Sequence, residues 1–255
     1  MCKFRLACFL LLATFFCSYS AARDKIVLST LNWEPYIGQE LENKGYVNEI
    51  VKAAFSEASY ELEVLFFPWA RALHVATLGH VDGLFPEYYD ENRLTDFVFS
   101  DPFPGGPVGF YKRKDQSIKF SVDPRKDLAA ALKDLRNYRF GVVRGYINTK
   151  EFDEADYLVK EEVINDDTNI KRLYKNRVQL IFIDKYVAQY IIAKRYPWYA
   201  LELEFLDPPL EIKPLYIAFS KKAPEYKKKL ESFNRGLKTI RENKLMEEIM
   251  MKHGF

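Results

Sequence analysis

Arg93 is the residue of this sequence best suited to bind a small polar ligand. It lies in the polar, turn-like run YYDENR, which follows the short apolar run VDGLF and precedes the alternating run FVFSDPF. A planar guanidinium binds a carboxylate through two parallel hydrogen bonds. Open α/β sheets place their binding clefts at loops that follow strands. Arg93 is therefore a candidate carboxylate ligand, and the alternative is a surface arginine in a polar loop.

Two further loops carry candidate binding groups. Asp184 ends the apolar run VQLIFID and precedes the helical pattern KYVAQYIIAKRY, where an Asp commonly caps the helix N-terminus. Capping does not prevent the same carboxylate from contacting a ligand. Arg144 and Tyr146 flank Gly145 between a predicted strand and a predicted helix start, where backbone N–H groups favour an anion.

The sequence contains no evident catalytic or metal motif. Its three histidines, His74, His80 and His253, form no H-x-x-x-H pair, which disfavours a zinc site. It has no G-x-S-x-G motif and no Walker loop. We therefore expect neither a cofactor nor catalytic residues.

Strand and helix patterns alternate along the chain. KIVLSTL, ELEVLFF and VDGLF predict strands, and the spacing of apolar residues predicts helices over residues 46–58 and in PWARALHVATL. This alternation is typical of a parallel sheet flanked by helices. The pattern repeats later, with helices predicted over 125–137, 166–176 and 185–196. From residue 223 the sequence predicts helix to the C-terminus.

Length and composition indicate a soluble globular protein. The 255 residues are 48% apolar and 29% charged, and they are enough for one large or two small domains. The aromatic fraction is high, at 16%. This fits both an aromatic-rich core and a binding cleft lined by rings.

Residues 1–22 are predicted to be a cleaved signal peptide. Lys3 and Arg5 precede a short apolar run and a cleavage site of small residues at 20–22. The apolar run is too short for a membrane anchor. All three cysteines lie in this segment, so we expect no disulfide in the mature chain. Removing Lys3 and Arg5 takes Lys plus Arg from 38 to 36, against 36 Asp plus Glu, a balance that disfavours a nucleic-acid partner.

The stretch Phe67–Phe103 contains a series of motifs in order. W-x-R-A-L begins at Trp69, G-x-V-D-G begins at Gly79, Arg93 follows, and F-x-F-S-D-P ends at Pro102. This series resembles the W-x-R variant of the family 3 periplasmic solute-binding proteins of amino-acid-type ABC transporters. The resemblance implies an α/β, two-lobed periplasmic-binding-protein fold of type II. Each lobe would be a mainly parallel sheet flanked by helices, and a two-strand hinge would join the lobes.

The resemblance also implies domain boundaries. Lobe 1 would comprise residues 23–110 and 214–255, and lobe 2 would comprise residues 111–213. The strand LYIAFSKK would return the chain to the first lobe.

Family positions imply roles for several residues. Arg93, eight residues before Asp101, would bind the ligand's α-carboxylate. Asp184, at the mouth of the second lobe, would pair with a ligand ammonium. Trp33 would pack on the ligand's side chain or, alternatively, cover the core. Ligand contact by Arg93 and Asp184 together would favour a closed state.

Trp69 and Arg71 mark the W-x-R variant. Arg71 would reach into the cleft or pair with Glu87 or Asp90. We therefore include Trp69 and Arg71 among the candidate ligand-binding residues.

Three positions depart from the amino-acid-binding pattern of the family. Tyr88 stands where such members carry Ser or Thr, Pro86 replaces a small polar residue, and Tyr146 replaces a hydroxyl residue of the second-lobe loop. Aromatic surface thus replaces hydroxyl contacts. Together with Arg71 and Arg144, these tyrosines suit a larger or more anionic ligand than a standard amino acid.

The resemblance implies a monomeric periplasmic protein that captures a small polar ligand, an amino acid or related carboxylate, for the membrane permease of an ABC importer. Two alternatives stay open. Periplasmic enzymes of the cyclohexadienyl dehydratase type share the fold, but they carry Gly-Gly-Thr-Asn where this chain has Arg144–Thr149, so we expect no enzyme activity. A ligand-sensing receptor subunit would use the closed state as a signal.

Overall fold

The computed structural model describes residues 24–255, and the predicted signal peptide lies outside these residues. Within them the chain forms ten strands and eight α-helices, none of which has the length and apolarity to span a bilayer. The strands are β1 Asp24–Thr30, β2 Tyr60–Phe66, β3 Gly83–Glu87, β4 Phe97–Phe99, β5 Phe103–Arg113, β6 Arg139–Val143, β7 Val159–Val163, β8 Leu180–Asp184, β9 Leu203–Phe205 and β10 Glu211–Ser220. The helices are α1 Tyr46–Glu57, α2 Trp69–Thr77, α3 Leu128–Asp134, α4 Lys150–Glu154, α5 Asp166–Tyr174, α6 Lys185–Arg195, α7 Tyr226–Glu242 and α8 Leu245–Lys252.

The first lobe is built on a sheet with the order β2-β1-β3-β10, to which β4 adds by pairing with β10. β1 runs parallel to β2 and β3, and β10 runs antiparallel to β3. Parallel neighbours need crossover connections, which α1 and α2 supply. α1 buries Val47, Ile50, Ala54 and Phe55, the apolar face that the sequence spacing predicts.

The second lobe repeats this design with the strand order β5-β8-β6-β7. β6 runs parallel to β7 and β8, while β5 runs antiparallel to β8 and β9. A cluster of aromatic rings fills its interior. Phe110, Phe140, Phe152 and Phe182 have ring centroids 5.1–5.8 Å apart. Part of the high aromatic content therefore belongs to the core.

Two long strands connect the lobes. β5 and β10 pair antiparallel with each other. Residues 103–108 of β5 lie alongside residues 211–215 of β10. Beyond this segment β5 pairs with β8 of the second sheet, and β10 pairs with β3 and β4 of the first. The predicted lobe boundaries, at 110/111 and 213/214, fall inside these strands and stay a prediction.

The C-terminal region differs from the sequence expectation. Residues 223 onward were expected to be helical throughout, but α7 ends at Glu242 and α8 begins at Leu245. Lys244 has a φ of 66°, in the left-handed region, which an α-helix cannot accommodate. Asn243 and Lys244 thus form a turn that lets both helices pack against α1.

Candidate ligand-binding site

A cavity of about 480 Å³ lies between loops of the two lobes, and we call it the outer cavity. The first lobe contributes Trp33 from the loop after β1 and Trp69 from the start of α2. The second lobe contributes Tyr146 from the loop after β6 and Asp166 from the start of α5. Cavities of this size are typical of small-molecule sites.

A second, inner cavity of about 20 Å³ adjoins the outer one and reaches Leu215 on β10. The two cavities share Leu31, Trp33, Trp69 and Tyr146. The inner cavity is otherwise lined by apolar groups and by the side chain of Glu87. Its volume accommodates about one water-sized group.

Asp184 is buried at the end of β8 and links the two lobes directly. Its Oδ1 accepts hydrogen bonds from the backbone N–H groups of Tyr186 (2.8 Å) and Val187 (3.1 Å), so it caps α6. Its Oδ2 accepts hydrogen bonds from the hydroxyls of Tyr36 (2.8 Å) and Tyr88 (3.3 Å), both in the first lobe. Both carboxylate oxygens therefore have protein donors.

Burial raises the pKa of Asp184 to about 6. The hydrogen bonds from Tyr36, from the two backbone N–H groups and from Tyr88 favour the carboxylate form and limit this rise. The capping role expected for Asp184 is present. Its role toward a ligand ammonium stays a prediction. An ammonium that paired with Oδ2 would have to replace the hydroxyls of Tyr36 and Tyr88.

The carbonyl of Gly145 forms a second link between the lobes. It accepts hydrogen bonds from Trp69 Nε1 (2.9 Å) and from Arg93 Nη2 (2.8 Å). Gly145 has a φ of 78°, which favours glycine in this turn. The ring of Tyr146 then packs edge-on against Trp69, with centroids 5.8 Å apart.

Arg93 also faces the buried carboxylate of Glu87. Its Nε lies 3.7 Å from Glu87 Oε2, which is outside hydrogen-bond distance. Glu87 Oε1 accepts a hydrogen bond from the Tyr88 N–H (3.0 Å), whereas Oε2 has no hydrogen-bond donor among residues 24–255. Burial raises the pKa of Glu87 to about 7, although Arg93 acts against this rise. The binding of a ligand carboxylate by Arg93 stays a prediction.

Trp33 lies against both cavities and against the core. A tight turn holds it, in which the Trp33 N–H donates to the Ile37 carbonyl at 2.8 Å. Its ring stacks on Tyr36, with centroids 4.7 Å apart, and meets Tyr88 edge-on at 5.8 Å. Trp33 therefore covers the core, and its packing on a ligand's side chain stays a prediction.

Asp166 and Glu87 were not singled out by the sequence interpretation as ligand contacts. Asp166 is 5% exposed, lines the outer cavity, and accepts a hydrogen bond from the Tyr146 hydroxyl at 3.1 Å. Burial raises its pKa to about 7. Its position after β7 was a usable signal, because ligands bind beyond the carboxyl ends of strands. From the sequence, residues 166–176 predict only a helix, and the structure places Asp166 at its first position after the cap Asn165.

Arg71 and Arg144 stand apart from the two cavities. Both are exposed, and neither lines a cavity wall. The Arg71 guanidinium lies 4.7 Å from the centroid of the Phe67 ring. The structure does not bring it against Glu87 or Asp90 in an ion pair among residues 24–255. In that part of the chain no three His, Asp or Glu side chains are grouped to hold a metal ion.

The sequence model of the bacterial extracellular solute-binding proteins, family 3, matches residues 26–255. The chain belongs to this family. The predicted membership is therefore confirmed, and the family consists of binding proteins that act outside the cytoplasm. No curated protein sequence matches this family 3 chain.

Solved structures share the fold of this family 3 protein at low sequence identity. A histidine kinase sensor domain similar to periplasmic binding proteins is 18% identical, with 91% of this chain and 97% of that chain covered and a TM-score of 0.76. An ancestral arginine-binding protein bound to arginine is 20% identical, with 92% and 100% covered and a TM-score of 0.74. An amino acid ABC transporter substrate-binding protein from Streptococcus pneumoniae, bound to L-arginine, is 18% identical, with 90% and 94% covered and a TM-score of 0.69. The predicted periplasmic-binding-protein fold is confirmed.

Proposed function

We propose that this protein binds a small polar solute between its lobes, in the periplasm, and presents the closed complex to the membrane permease of an ABC importer. The observation that carries this proposal is the outer cavity, whose walls come from both lobes. A solute that touches both walls has a higher affinity for the closed arrangement than for an open one. Binding is thereby coupled to a change in shape that a membrane partner can recognise.

The contacts between the lobes support this mechanism. Asp184 and Gly145 belong to the second lobe, and each accepts hydrogen bonds from the first. These bonds exist only when the lobes are together. They are few, and each contributes about 1 kcal/mol, so a bound solute can decide the balance between the closed and open states.

A thermal-shift screen tests the binding function. The purified mature protein is heated with amino acids, opines, polyamines and small carboxylates in turn. A true ligand at a concentration of 100 times its Kd should add about 2.7 kcal/mol to the free energy of unfolding, a readily measured rise in Tm. Absence of any stabilising solute in this panel would contradict the proposal.

The same screen tests the clamp predicted from the family. If the hit carries a carboxylate, Arg93→Ala should weaken its binding by at least tenfold in calorimetry, because a guanidinium–carboxylate pair is lost. If the hit carries an ammonium group that binds Asp184, Asp184→Asn should likewise weaken its binding by at least tenfold. Unchanged affinity in either variant contradicts the corresponding role.

Transport and sensing make different predictions. A sensing role is the second candidate, since a kinase sensor domain has this fold. Reconstitution in vesicles with an importer of the same organism should give solute uptake that depends on this protein. Uptake that is independent of the protein would favour sensing. Turnover of prephenate or arogenate by the purified protein would contradict a pure binding function.

A further inference from the structure

We propose that the solute carries a cationic group on a slender apolar stem, and that Asp166 binds this cation at the wall of the outer cavity. The proposal rests on the binding function given above and narrows it to one chemical class, organic ammonium or guanidinium compounds.

Asp166 is a buried acid without a cationic partner. Only 5% of the residue is exposed, and none of the ion pairs among residues 24–255 includes it. Its neighbour Asp167, in contrast, pairs with Lys171 at 2.6 Å and with Arg195 at 3.5 Å. The Tyr146 hydroxyl donates to Asp166 Oδ2 at 3.1 Å, but a buried carboxylate is costly unless an opposite charge also pairs with it. A ligand cation would supply this pairing.

Four aromatic residues form part of the mixed polar and apolar wall around Asp166. Trp33, Phe67, Trp69 and Tyr146 line the same cavity. The faces of aromatic rings carry negative potential, and they attract an ammonium or guanidinium within about 6 Å of the centroid. The same rings can pack against an apolar stem. The cavity wall therefore suits both the cationic group and the stem of the proposed ligand.

The basic groups near the cavity are already engaged, which disfavours an anionic ligand. Arg195 lies 3.6 Å from Glu34 and 3.5 Å from Asp167, two acids of the same cavity. The Arg93 guanidinium donates to the Gly145 carbonyl and faces Glu87.

Lys213, on β10, is the third basic group and is also occupied. Its Nζ donates to the Asn148 carbonyl at 2.9 Å, lies 3.5 Å from Glu211, and sits 5.0 Å from the centroid of the Tyr88 ring. Among the described residues, Arg195 is the basic residue that lines a cavity wall, and Arg93 and Lys213 line neither cavity.

The inner cavity gives an independent indication of the same ligand chemistry. Glu87 lines it, is 4% exposed, and has an Oε2 atom with no hydrogen-bond donor among residues 24–255. Arg93 Nε lies 3.7 Å from this oxygen, so a ligand donor that extended past the shared rings would share Glu87 with Arg93. The space there fits about one water-sized group, such as an amino group.

Matched pairs of solutes test the proposal by calorimetry on the mature protein. Lysine is compared with norleucine, and n-butylamine with n-butanol, so that each pair differs in one cationic group. Butyrate and glutamate serve as acids of similar size. We expect the cationic member to bind at least tenfold more tightly than its neutral partner in at least one pair, and the acids to bind more weakly.

Variants locate the cation. Asp166→Asn should reduce the cationic-to-neutral affinity ratio to near one, whereas the exposed acid Asp156, changed to Asn, should leave the ratio unchanged. Ile164 is 68% exposed and lines the outer cavity, so Ile164→Lys adds a repelling charge without disturbing the core. This variant should lower the ratio, and Ile164→Met should keep it. Ile164→Lys keeps the test decisive if Asp166→Asn does not fold.

The outcomes separate this inference from the proposed function. Preference for an acid, or equal affinity within both pairs, overturns the inference and leaves solute binding intact. A cationic preference that survives Asp166→Asn and Ile164→Lys also overturns it, because the cation then binds elsewhere. If these solutes and the wider panel all fail to bind, both proposals fail.

Discussion

Three buried carboxylates at the lobe interface differ in how well their oxygens are satisfied. Asp184 accepts four hydrogen bonds, and the pKa rises to about 6. Asp166 and Glu87 have fewer donors, and their pKa values rise to about 7. Burial favours the neutral acid and raises each pKa, whereas hydrogen-bond donors favour the carboxylate and lower it. The acid with the most donors therefore has the lowest of the three pKa values. Of these two acids, Glu87 faces Arg93, whereas Asp166 lines the outer cavity and forms no ion pair among residues 24–255.

The ionisation of Asp166 predicts a pH dependence of stability. The pKa is 3.8 in the unfolded chain and about 7 in the fold, where burial dominates and the charge of Asp184 adds to the rise. The folded protein thus binds more protons between these values. Its free energy of unfolding should fall as the pH rises from about 4 to about 7, by at most about 4 kcal/mol from this group.

Urea unfolding at pH 5, 6, 7 and 8 isolates this contribution. Asp166→Asn removes the ionising group while Tyr146, Trp33 and Asp184 stay around the site. The free energy of unfolding of this variant, relative to the parent protein, should increase with pH. Asp156→Asn, on the surface, should show a constant difference. A constant difference for Asp166→Asn as well would contradict the assigned pKa direction.

At the scale of elements, strand ends and helix starts determine where the functional groups lie. Asp184 ends β8 and caps α6, and Asp166 follows the cap Asn165 at the start of α5. Trp69 begins α2 directly after Pro68. Each group stands on a junction that hydrogen bonds of the helix terminus hold in place. Helix starts therefore position Asp166 and Trp69 of the outer cavity, whereas Trp33 and Tyr146 come from loops after strands.

Close packing of α1 and α7 makes Gly236 a sensitive position in the first lobe. A Cβ at this position would overlap the backbone carbonyl oxygen of Ala54 on α1. Gly236→Ala forces the two helices apart, since a backbone atom cannot rotate away. We expect a loss of about 2 kcal/mol of unfolding free energy, measured by urea titration.

A matched substitution on the exposed face of α7 controls for helix propensity. Glu231 is exposed on this helix, and Glu231→Ala should change the unfolding free energy by less than about 0.5 kcal/mol. If Gly236→Ala were as stable as the parent protein, the helix contact would not be as close as described.

At the scale of the whole molecule, two strands and a set of direct side-chain contacts connect the lobes within residues 24–255. β5 and β10 pair with each other and with strands of their own lobes, so they join the two lobes. Two strands by themselves do not set the opening angle of the cleft. The bonds to Asp184 lie beside β5, whose Val108 pairs with Asp184, and the bonds to the Gly145 carbonyl join the loop after β6 to the first lobe. Removing one of them should shift the balance toward open forms.

Trp69→Phe tests this shift. The variant keeps an aromatic ring and removes the Nε1 donor to the Gly145 carbonyl. A lost hydrogen bond of about 1 kcal/mol lowers the closed-to-open ratio about fivefold. Small-angle X-ray scattering of the ligand-free protein should show an increased radius of gyration.

Trp198→Phe is the matched control, because Trp198 is 57% exposed and lies away from the cleft, in a turn after α6. Its scattering curve should coincide with that of the parent protein. An unchanged radius in Trp69→Phe would mean that this bond does not contribute to closure.

The sequence alone determined the fold and the family. The apolar spacing of α1 and the order of motifs from Trp69 to Pro102 are local features, and local features are readable from the chain. The same reading identified Trp33, Trp69 and Tyr146, which the structure places together at the two cavities. It also assigned Asp184 to a helix cap, a role that depends only on its immediate neighbours.

Only the tertiary structure decided which charged groups have partners. Arg93 and Gly145 are 52 residues apart, and Tyr36 and Asp184 are 148 residues apart, yet each pair is hydrogen-bonded. Such pairing engages Arg93 and satisfies Asp184, and it leaves Asp166 beside a cavity without a cation. Burial and long-range pairing depend on how distant segments pack, which no local pattern in the sequence encodes. For this reason the cation proposed at Asp166 is not readable from the sequence, which places the ligand's carboxylate at Arg93 and its ammonium at Asp184.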